Sequence, residues 1–273
     1  MNEFKLQKYR DLGSILTDSF VYIKIHYKSL GKALLLLALP FYLVSGFVVG
    51  DAYTSFFSAM FNNPEAAESL IGPGFLIGML LLVMSSVALL TVTLTHVSIV
   101  NEQGEAKLSD ITDRFGTNFM ILLLLYILII FGVSISFLFF IIPGIYIGIK
   151  LFVAPAVSIL ENKNPIDAIT RSWQLVKGHW WFTFATYLVM NIITSFMSYV
   201  VVIPFGIIMS FFTTAGAGSS ESFVNGMGIL YGLMILIASL FTVVLLIAMC
   251  LHYFNLIERK EGKGLRAQIE ELG

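Results

Sequence analysis

Long apolar runs, set apart by cationic segments, constrain this chain more than any other feature of its sequence. All but one of the 16 Lys and Arg residues fall in four segments, which span residues 5–32, 107–114, 163–177 and 259–266. Lys150 alone lies within an apolar run. Runs such as ALLLLALPFYLVSGFVV approach the roughly 20 residues that a helix needs to cross a hydrocarbon core of about 30 Å.

The composition excludes a soluble globular domain. Hydrophobic residues make up 58% of the chain and charged residues only 12%, more apolar surface than a soluble domain of this length can bury. Barrel strands alternate apolar and polar residues, whereas these runs are continuous. We therefore predict an all-α integral membrane protein with six transmembrane helices, at about 33–50, 75–100, 118–142, 145–161, 180–203 and 226–256. Pro143–Gly144 is predicted to form the turn between the third and fourth.

The segments between the predicted spans also divide by charge. The stretches Asp51–Pro73 and Thr213–Ser222 carry carboxylates and no cation. In a topology with alternating spans, all the cationic segments lie on the opposite side of the membrane from these stretches. Positive residues next to helix ends stay in the cytoplasm. This predicts a multi-pass protein of the bacterial cytoplasmic (inner) membrane with both termini in the cytoplasm. Charges throughout the first 30 residues differ from the layout of a secretory signal peptide.

The sequence repeats itself. ILTDSFVYIKIHYK, residues 15–28, matches AITRSWQLVKGHWW, residues 168–181, at one constant offset, and KLSDITDRFGTNF, residues 107–119, is a shorter third copy. We predict one membrane domain, 1–273, built as three units of an interfacial amphipathic helix plus a helical hairpin. The units cover about 10–103, 104–161 and 162–260, and residues 261–273 form a cytoplasmic tail.

Apolar residues in these copies recur at helical spacing and form one face. The amphipathic helices either lie flat in the cytoplasmic interface or fold under the bundle, and the pattern allows both. Asn164, Pro165 and Asp167 signal the start of the last one. Gly74 and Gly78, Gly144 and Gly148, and Gly228 and Gly232 predict close helix packing. The predicted interfacial anchors are aromatic: Trp173, Trp180, Trp181, Phe20 and Tyr27.

Glutamates recur at the cytoplasmic ends of the second, fourth and sixth predicted helices. A carboxylate at a helix C-terminus meets the negative end of the helix dipole, so a nearby cation stabilises it. We predict an interfacial ion-pair network, with simple solvation of each glutamate as the alternative. Its members are Glu102, Glu161, Glu258, Arg114, Arg171 and Lys24.

Four polar residues in apolar runs are candidate contacts for a lipid, another ligand or a cavity: Lys150, His96, Thr95 and His252. Polar groups at membrane depth are expensive and often functional. The alternatives are hydrogen bonding between helices for the histidines and snorkelling to the interface for Lys150. The histidines lack a third ligand at metal-binding spacing. We expect neither a metal nor another cofactor, and we expect the single cysteine, Cys250, to be a buried small apolar residue.

The stretch IPGIYIGIKLFVAPAVSILENKNPIDAITRSWQLVKGHWW, residues 142–181, resembles a bacterial family signature. The family is the membrane-domain family named after glycerophosphoryl diester phosphodiesterase, with related uncharacterised inner-membrane proteins. The matching parts are IPGIY, the APA of the fourth helix, Glu161 at its end and the RSW…KGHWW helix. The resemblance implies a polytopic bacterial membrane protein. The phosphodiesterase needs a separate catalytic barrel that this sequence does not contain.

No nucleophile elbow, phosphate-binding loop or zinc motif is present in the sequence. We therefore expect a non-enzymatic polytopic membrane protein that acts as an envelope assembly, scaffold or regulatory partner. The alternative is a carrier or flippase for a lipid or another amphiphile. The expected partners are the lipid bilayer and another membrane protein or a second copy of the chain, and not nucleic acid.

Overall fold

A computed structural model describes residues 4–49, 73–214, 230 and 233–262, and none of these residues forms a strand. Six helices are long and apolar enough to cross a membrane. The all-α prediction with six candidate transmembrane helices is therefore confirmed. The predicted loops after Asp51 and after Thr214, the pair Gly228 and Gly232, and the tail from Lys263 lie outside the described residues.

From Pro73 to Thr214 the helices follow one another with short connections. Helix α1 covers Leu12–Ala33 and continues through a π-helical turn at Leu34–Ala38 to Val49. The remaining helices are α2 (Pro73–Gln103), α3 (Leu108–Phe139), α4 (Ile141–Leu151), α5 (Ala154–Leu160), α6 (Pro165–Val176), α7 (Trp180–Thr214) and α8 (Thr242–Glu261). The span that ends with α8 begins at Leu233.

Two of the three predicted amphipathic helices are not separate elements. Residues 15–28 belong to α1 and residues 107–119 run into α3 without a break. Only the last copy forms a separate helix, α6, because Gly178 adopts a φ of +85° that a side chain disfavours. Ile25 stands at the matching position of the first copy and lets that helix continue.

Helix α6 begins as the sequence predicts. Asn164 is the N-cap, its side-chain oxygen accepts a 2.9 Å hydrogen bond from the backbone N–H of Asp167, and Pro165 occupies the first helical position. The buried face of α6 includes Ala168, Ser172 and Leu175. The predicted anchor Trp173, next to Ser172, lies outside this face and is 39% exposed.

The turn between α3 and α4 lies at Phe140 rather than at Pro143–Gly144. Phe140 has extended backbone angles, and α4 starts at Ile141. Pro143 then falls in the first turn of α4, where a missing N–H leaves no helical hydrogen bond unmade. Gly144 is buried against the Phe137 ring on the other arm of the hairpin.

The prolines in the apolar runs have different effects. Pro40 follows the π-helical turn of α1, where widening of the helix relieves the clash between its ring and the carbonyl of residue 36. Pro155 lies at the start of α5, after the break at residues 152 and 153 that separates α5 from α4. Pro204 lies inside α7 without ending it.

The chain divides into two compact units. One comprises Met1–Ala33, Leu90–Ile193 and Val243–Gly273, and it holds α3 to α6 complete. The other comprises Leu34–Leu89 and Thr194–Thr242. In the second unit, the Ser85 hydroxyl donates to Ser45 Oγ at 3.1 Å, and the Ser198 hydroxyl donates to the Ala238 carbonyl at 3.2 Å.

Ring contacts in the first unit fix the relation between α4 and the start of α7. Tyr146 stacks on Trp180 with 5.6 Å between ring centres, and Phe152 meets Tyr187 edge-on at 5.4 Å. Over this stretch the two helices therefore advance in the same direction. If six spans crossed the membrane in alternating directions, α4 and α7 would run in opposite directions. The α3–α4 hairpin therefore departs from a simple alternating topology.

One glycine of each described pair has the close contact that the sequence predicts. A Cβ on Gly144 would lie 2.6 Å from the Phe137 ring, and a Cβ on Gly78 would lie 2.8 Å from Val49 Cγ2. The space next to Gly74 and next to Gly148 is open. Close packing therefore depends on Gly78 and Gly144 alone.

Gly144→Ala should destabilise the protein by about 1–3 kcal/mol, because an added methyl group overpacks the hairpin against Phe137. Gly148→Ala, in the same helix but with open space beside it, is the matched control. The measurement is the unfolding midpoint of the detergent-solubilised protein. Equal midpoints for the two variants would show that the hairpin does not pack in this way.

Candidate functional site

His96 is the centre of a buried hydrogen-bond chain in the first unit. Its Nδ1 lies 2.8 Å from the Tyr22 hydroxyl and its Nε2 lies 2.9 Å from Ser29 Oγ. The Ser29 hydroxyl donates to the carbonyl of His26 at 3.2 Å. Ser29 Oγ therefore accepts from Nε2–H of His96, and Nδ1 accepts from Tyr22. Both nitrogens of His96 are engaged in holding α2 to α1.

His252 forms the matching chain between α8 and α7. Its Nε2 lies 2.9 Å from Thr183 Oγ1, and the Thr183 hydroxyl donates to the carbonyl of His179 at 3.0 Å. His179 corresponds to His26 in the repeat. In the repeat, Leu175 is the residue that corresponds to Tyr22. Nδ1 of the fully buried His252 has no partner.

Lys150 is buried, with only 3% of its surface exposed. Its amine lies 5.2 Å from the ring centre of Trp173 and 5.7 Å from that of Tyr146, so two aromatic faces stabilise the charge. The carbonyl of Lys150 accepts a 2.8 Å hydrogen bond from the Ser172 hydroxyl. These contacts join α4 to α6.

The four candidate ligand contacts do not form one site. Thr95 accepts a 2.9 Å hydrogen bond from the Asn118 amide, which joins α2 to α3. His96, His252 and Lys150 each have the separate partners described above. No hydrogen bond, ion pair or ring contact among the described residues joins any two of the four.

Two of the predicted glutamate pairs are present. Arg114 donates to both carboxylate oxygens of Glu102 at 2.9 Å, in a bidentate pair at the ends of α2 and α3. Arg171 donates to Glu161 at 3.1 and 3.2 Å and also pairs with Glu261. Arg114 and Arg171 each belong to the repeat copy that directly follows their glutamate partner in the sequence.

Lys24 and Glu258, the remaining members of the predicted network, do not form an ion pair with each other. The carboxylate from α8 that approaches Arg171 is Glu261, one turn beyond Glu258 and on the same face of the helix. Burial lowers the pKa of the Arg171 guanidinium, but Glu261 and Glu161 outweigh it and raise that pKa above its ordinary value.

Arg10 has a structural role that the sequence did not indicate. Its guanidinium is buried and donates to Asp18 at 2.7 Å and to the carbonyls of Lys5 and Leu6 at 2.6 Å. The Arg10 backbone N–H donates to Asn255 Oδ1 at 2.9 Å. The residues before α1 are thereby fixed to α8. No spacing or motif distinguishes Arg10 from the basic residues around it.

Five basic side chains gather where α4, α6, the start of α7 and the end of α8 meet. This basic cluster consists of Lys150, Lys177, His179, Arg259 and Lys260. The Arg259 guanidinium lies 4.4 Å from the Phe182 ring centre, and the Lys260 amine donates to the Gln174 carbonyl. Burial, together with the charges of Arg259 and Lys260, lowers the pKa of His179 below its ordinary value.

The predicted interfacial anchors are exposed to different degrees. Tyr27 is 59% and Trp181 is 76% exposed, and Phe20 and Trp173 are exposed at about 40%. Trp180 is half-buried, stacks on Tyr146 and donates to its carbonyl at 3.2 Å. Four of the five are therefore free to contact lipid, and Trp180 also joins α7 to α4.

Comparison with known proteins gives one match. A family model described as "Domain of unknown function (DUF8558)" matches residues 130–255. The matched stretch contains Lys150, Glu161, all of α6 and His252, so the chain is similar to that family over most of the region described above. Searches of curated proteins and of solved structures gave no match.

Tyr22→Phe should cost about 1–3 kcal/mol of stability, because it leaves Nδ1 of His96 buried without a partner while keeping the ring. Tyr27→Phe removes a hydroxyl from an exposed ring and is the control. Chemical denaturation in detergent micelles measures both. A Tyr22 variant as stable as the Tyr27 variant would contradict the proposed chain.

Proposed function

We propose that this chain is a non-enzymatic multi-pass protein of the bacterial inner membrane, with both termini in the cytoplasm. It acts as an assembly, scaffold or regulatory partner of another membrane protein. The main supporting observation is that the polar residues that could form a catalytic site are instead engaged in contacts between helices. His96, Thr95, Glu102 and Glu161 each bond a neighbouring helix.

A scaffold needs a rigid element that presents a surface, and α6 has these properties. Arg171 and Ser172 fix its inner side through Glu161 and the Lys150 carbonyl. On its outer side Ile166 is exposed and lines an open apolar groove between the start of α6 and the middle of α3, where Leu124 also lies. An apolar helix of a partner would bury both.

The repeat of three units remains part of this proposal. The two histidine chains support it, since Ser29 and Thr183 bridge equivalent histidine pairs. The glutamate pairs support it as well, because Glu102 and Glu161 each meet an arginine of the next copy. The middle unit departs from the pattern, since it contains no histidine.

The test is extraction of the tagged full chain from its native membrane in mild detergent. We expect a stoichiometric partner with the wild type and with Ile25→Ser, and a large loss with Ile166→Ser. Both residues are exposed isoleucines, and only Ile166 lines the groove. Wild-type protein that runs as a monomer without a partner would contradict the proposal.

A carrier or flippase for a lipid or another amphiphile is the second candidate. The basic cluster around Lys150 favours it, because a buried cation beside aromatic rings, with exposed cations next to it, suits an anionic amphiphile. Movement of labelled lipids across reconstituted vesicles would support transport. Its absence across lipid classes would remove this candidate and leave the first intact. Membership of the phosphodiesterase-named membrane family is likewise a proposal.

A further inference from the structure

The basic cluster has more positive charge than its surroundings neutralise. The positive charges of Lys177 and Lys260 act on Lys150, and those of Arg259 and Lys260 act on His179. None of the four lysines and arginines of the cluster forms an ion pair with a carboxylate of the described residues.

The neighbouring carboxylates have other partners. Glu161 and Glu261 both pair with Arg171, and Glu161 is also 3.7 Å from the Lys163 amine. A buried cation without a counter-ion is strongly unfavourable, and aromatic faces offset only part of that cost. Within the described part of the chain, the cluster therefore has no counter-anion.

Hydrogen bonding at this place is incomplete as well. Three buried side-chain atoms of the described residues have no partner: Nδ1 of His179, Nδ1 of His252 and Nδ2 of Asn255. Asn255 Nδ2 is a donor that an anion could satisfy. His252 Nδ1 is an acceptor, because its Nε2–H is used by Thr183, so it offers an anion no hydrogen bond. Helix α7 begins here at Trp180, and its first N–H groups have no acceptor within the helix. Such donors bind anions.

Aromatic rings form the walls of the cluster. Trp173 and Tyr146 flank the Lys150 amine, Trp180 stacks on Tyr146, and Trp181 is largely exposed. Tryptophan and tyrosine favour the headgroup level of a bilayer. An anion that carries an acyl-chain anchor would place its charge among the cations and its glycerol against these rings.

We propose that the basic cluster binds the phosphate of an anionic lipid headgroup. Lys150, Lys177, Arg259 and Lys260 bring positive charge to the phosphate, and the aromatic walls hold the glycerol region. The inference does not depend on the proposed function, since a scaffold or a carrier could bind such a lipid. A soluble phosphate would meet the same cations, and the experiment separates the two sources.

The chain reports on this site by its own fluorescence, because its three tryptophans, Trp173, Trp180 and Trp181, all lie here. The full chain is reconstituted in phosphatidylcholine vesicles that contain a minor fraction of bromine-labelled phosphatidylglycerol. An equal fraction of bromine-labelled phosphatidylcholine is the reference. We expect stronger quenching by the anionic lipid, and equal quenching by both lipids would overturn the proposal.

Variants then assign the effect to the cluster. Lys150→Met and the exposed Lys177→Gln should each weaken the preference for the anionic lipid by about tenfold, the effect of losing one charged contact. Lys28→Gln is the control, since Lys28 also lies over an aromatic ring, that of Tyr27, but outside the cluster. Lys177→Gln keeps the test decisive if Lys150→Met does not fold. An unchanged preference in Lys177→Gln and in every folded Lys150→Met sample would overturn the proposal.

Inorganic phosphate provides the second arm. If it does not reduce the excess quenching, the lipid is the source of the phosphate. If it abolishes that excess and also changes the fluorescence of lipid-free protein in detergent, a soluble phosphate occupies the cluster, and the lipid assignment is overturned.

Discussion

Hydrocarbon offers no hydrogen-bond partner, so a polar group buried among membrane helices must find its partner within the protein. This constraint accounts for most of the interhelical contacts described here. His96 and His252 each bridge two helices through a hydroxyl, Asn118 reaches Thr95, and Ser172 reaches the Lys150 carbonyl. The apolar side chains supply surface suited to lipid, whereas these polar contacts fix which helices are neighbours.

The same constraint identifies the place where the protein is incomplete. The chain around His96 satisfies both ring nitrogens, but the equivalent chain around His252 leaves Nδ1 without a donor because Leu175 replaces the tyrosine. Next to it, Lys150 and Arg259 have no carboxylate partner among the described residues. The two copies of one pattern thus differ at this position.

Much of the fold could be predicted from the sequence because apolar length and composition determine candidate spans. The Glu102–Arg114 and Glu161–Arg171 pairs were predictable because helix ends and repeat copies placed them together. The continuity of α1 could not be predicted, because it depends on Ile25. This residue stands at the repeat position that corresponds to Gly178, the glycine that ends α6. The turn at Phe140 was missed because Pro143 is as well suited to the first turn of a helix as to a loop. Arg10 could not be predicted, because its partners other than Asp18 are backbone carbonyls and an asparagine 245 residues away.

The central claim is that the paired helix ends and the basic cluster face the cytoplasm. Cysteine labelling tests it directly, because the only native cysteine, Cys250, is buried. Gln103→Cys and Lys177→Cys place single thiols at exposed positions beside the Glu102 pair and in the basic cluster. A membrane-impermeant maleimide should label both in inverted vesicles and neither in intact spheroplasts. Labelling of either cysteine from outside intact spheroplasts would contradict the account.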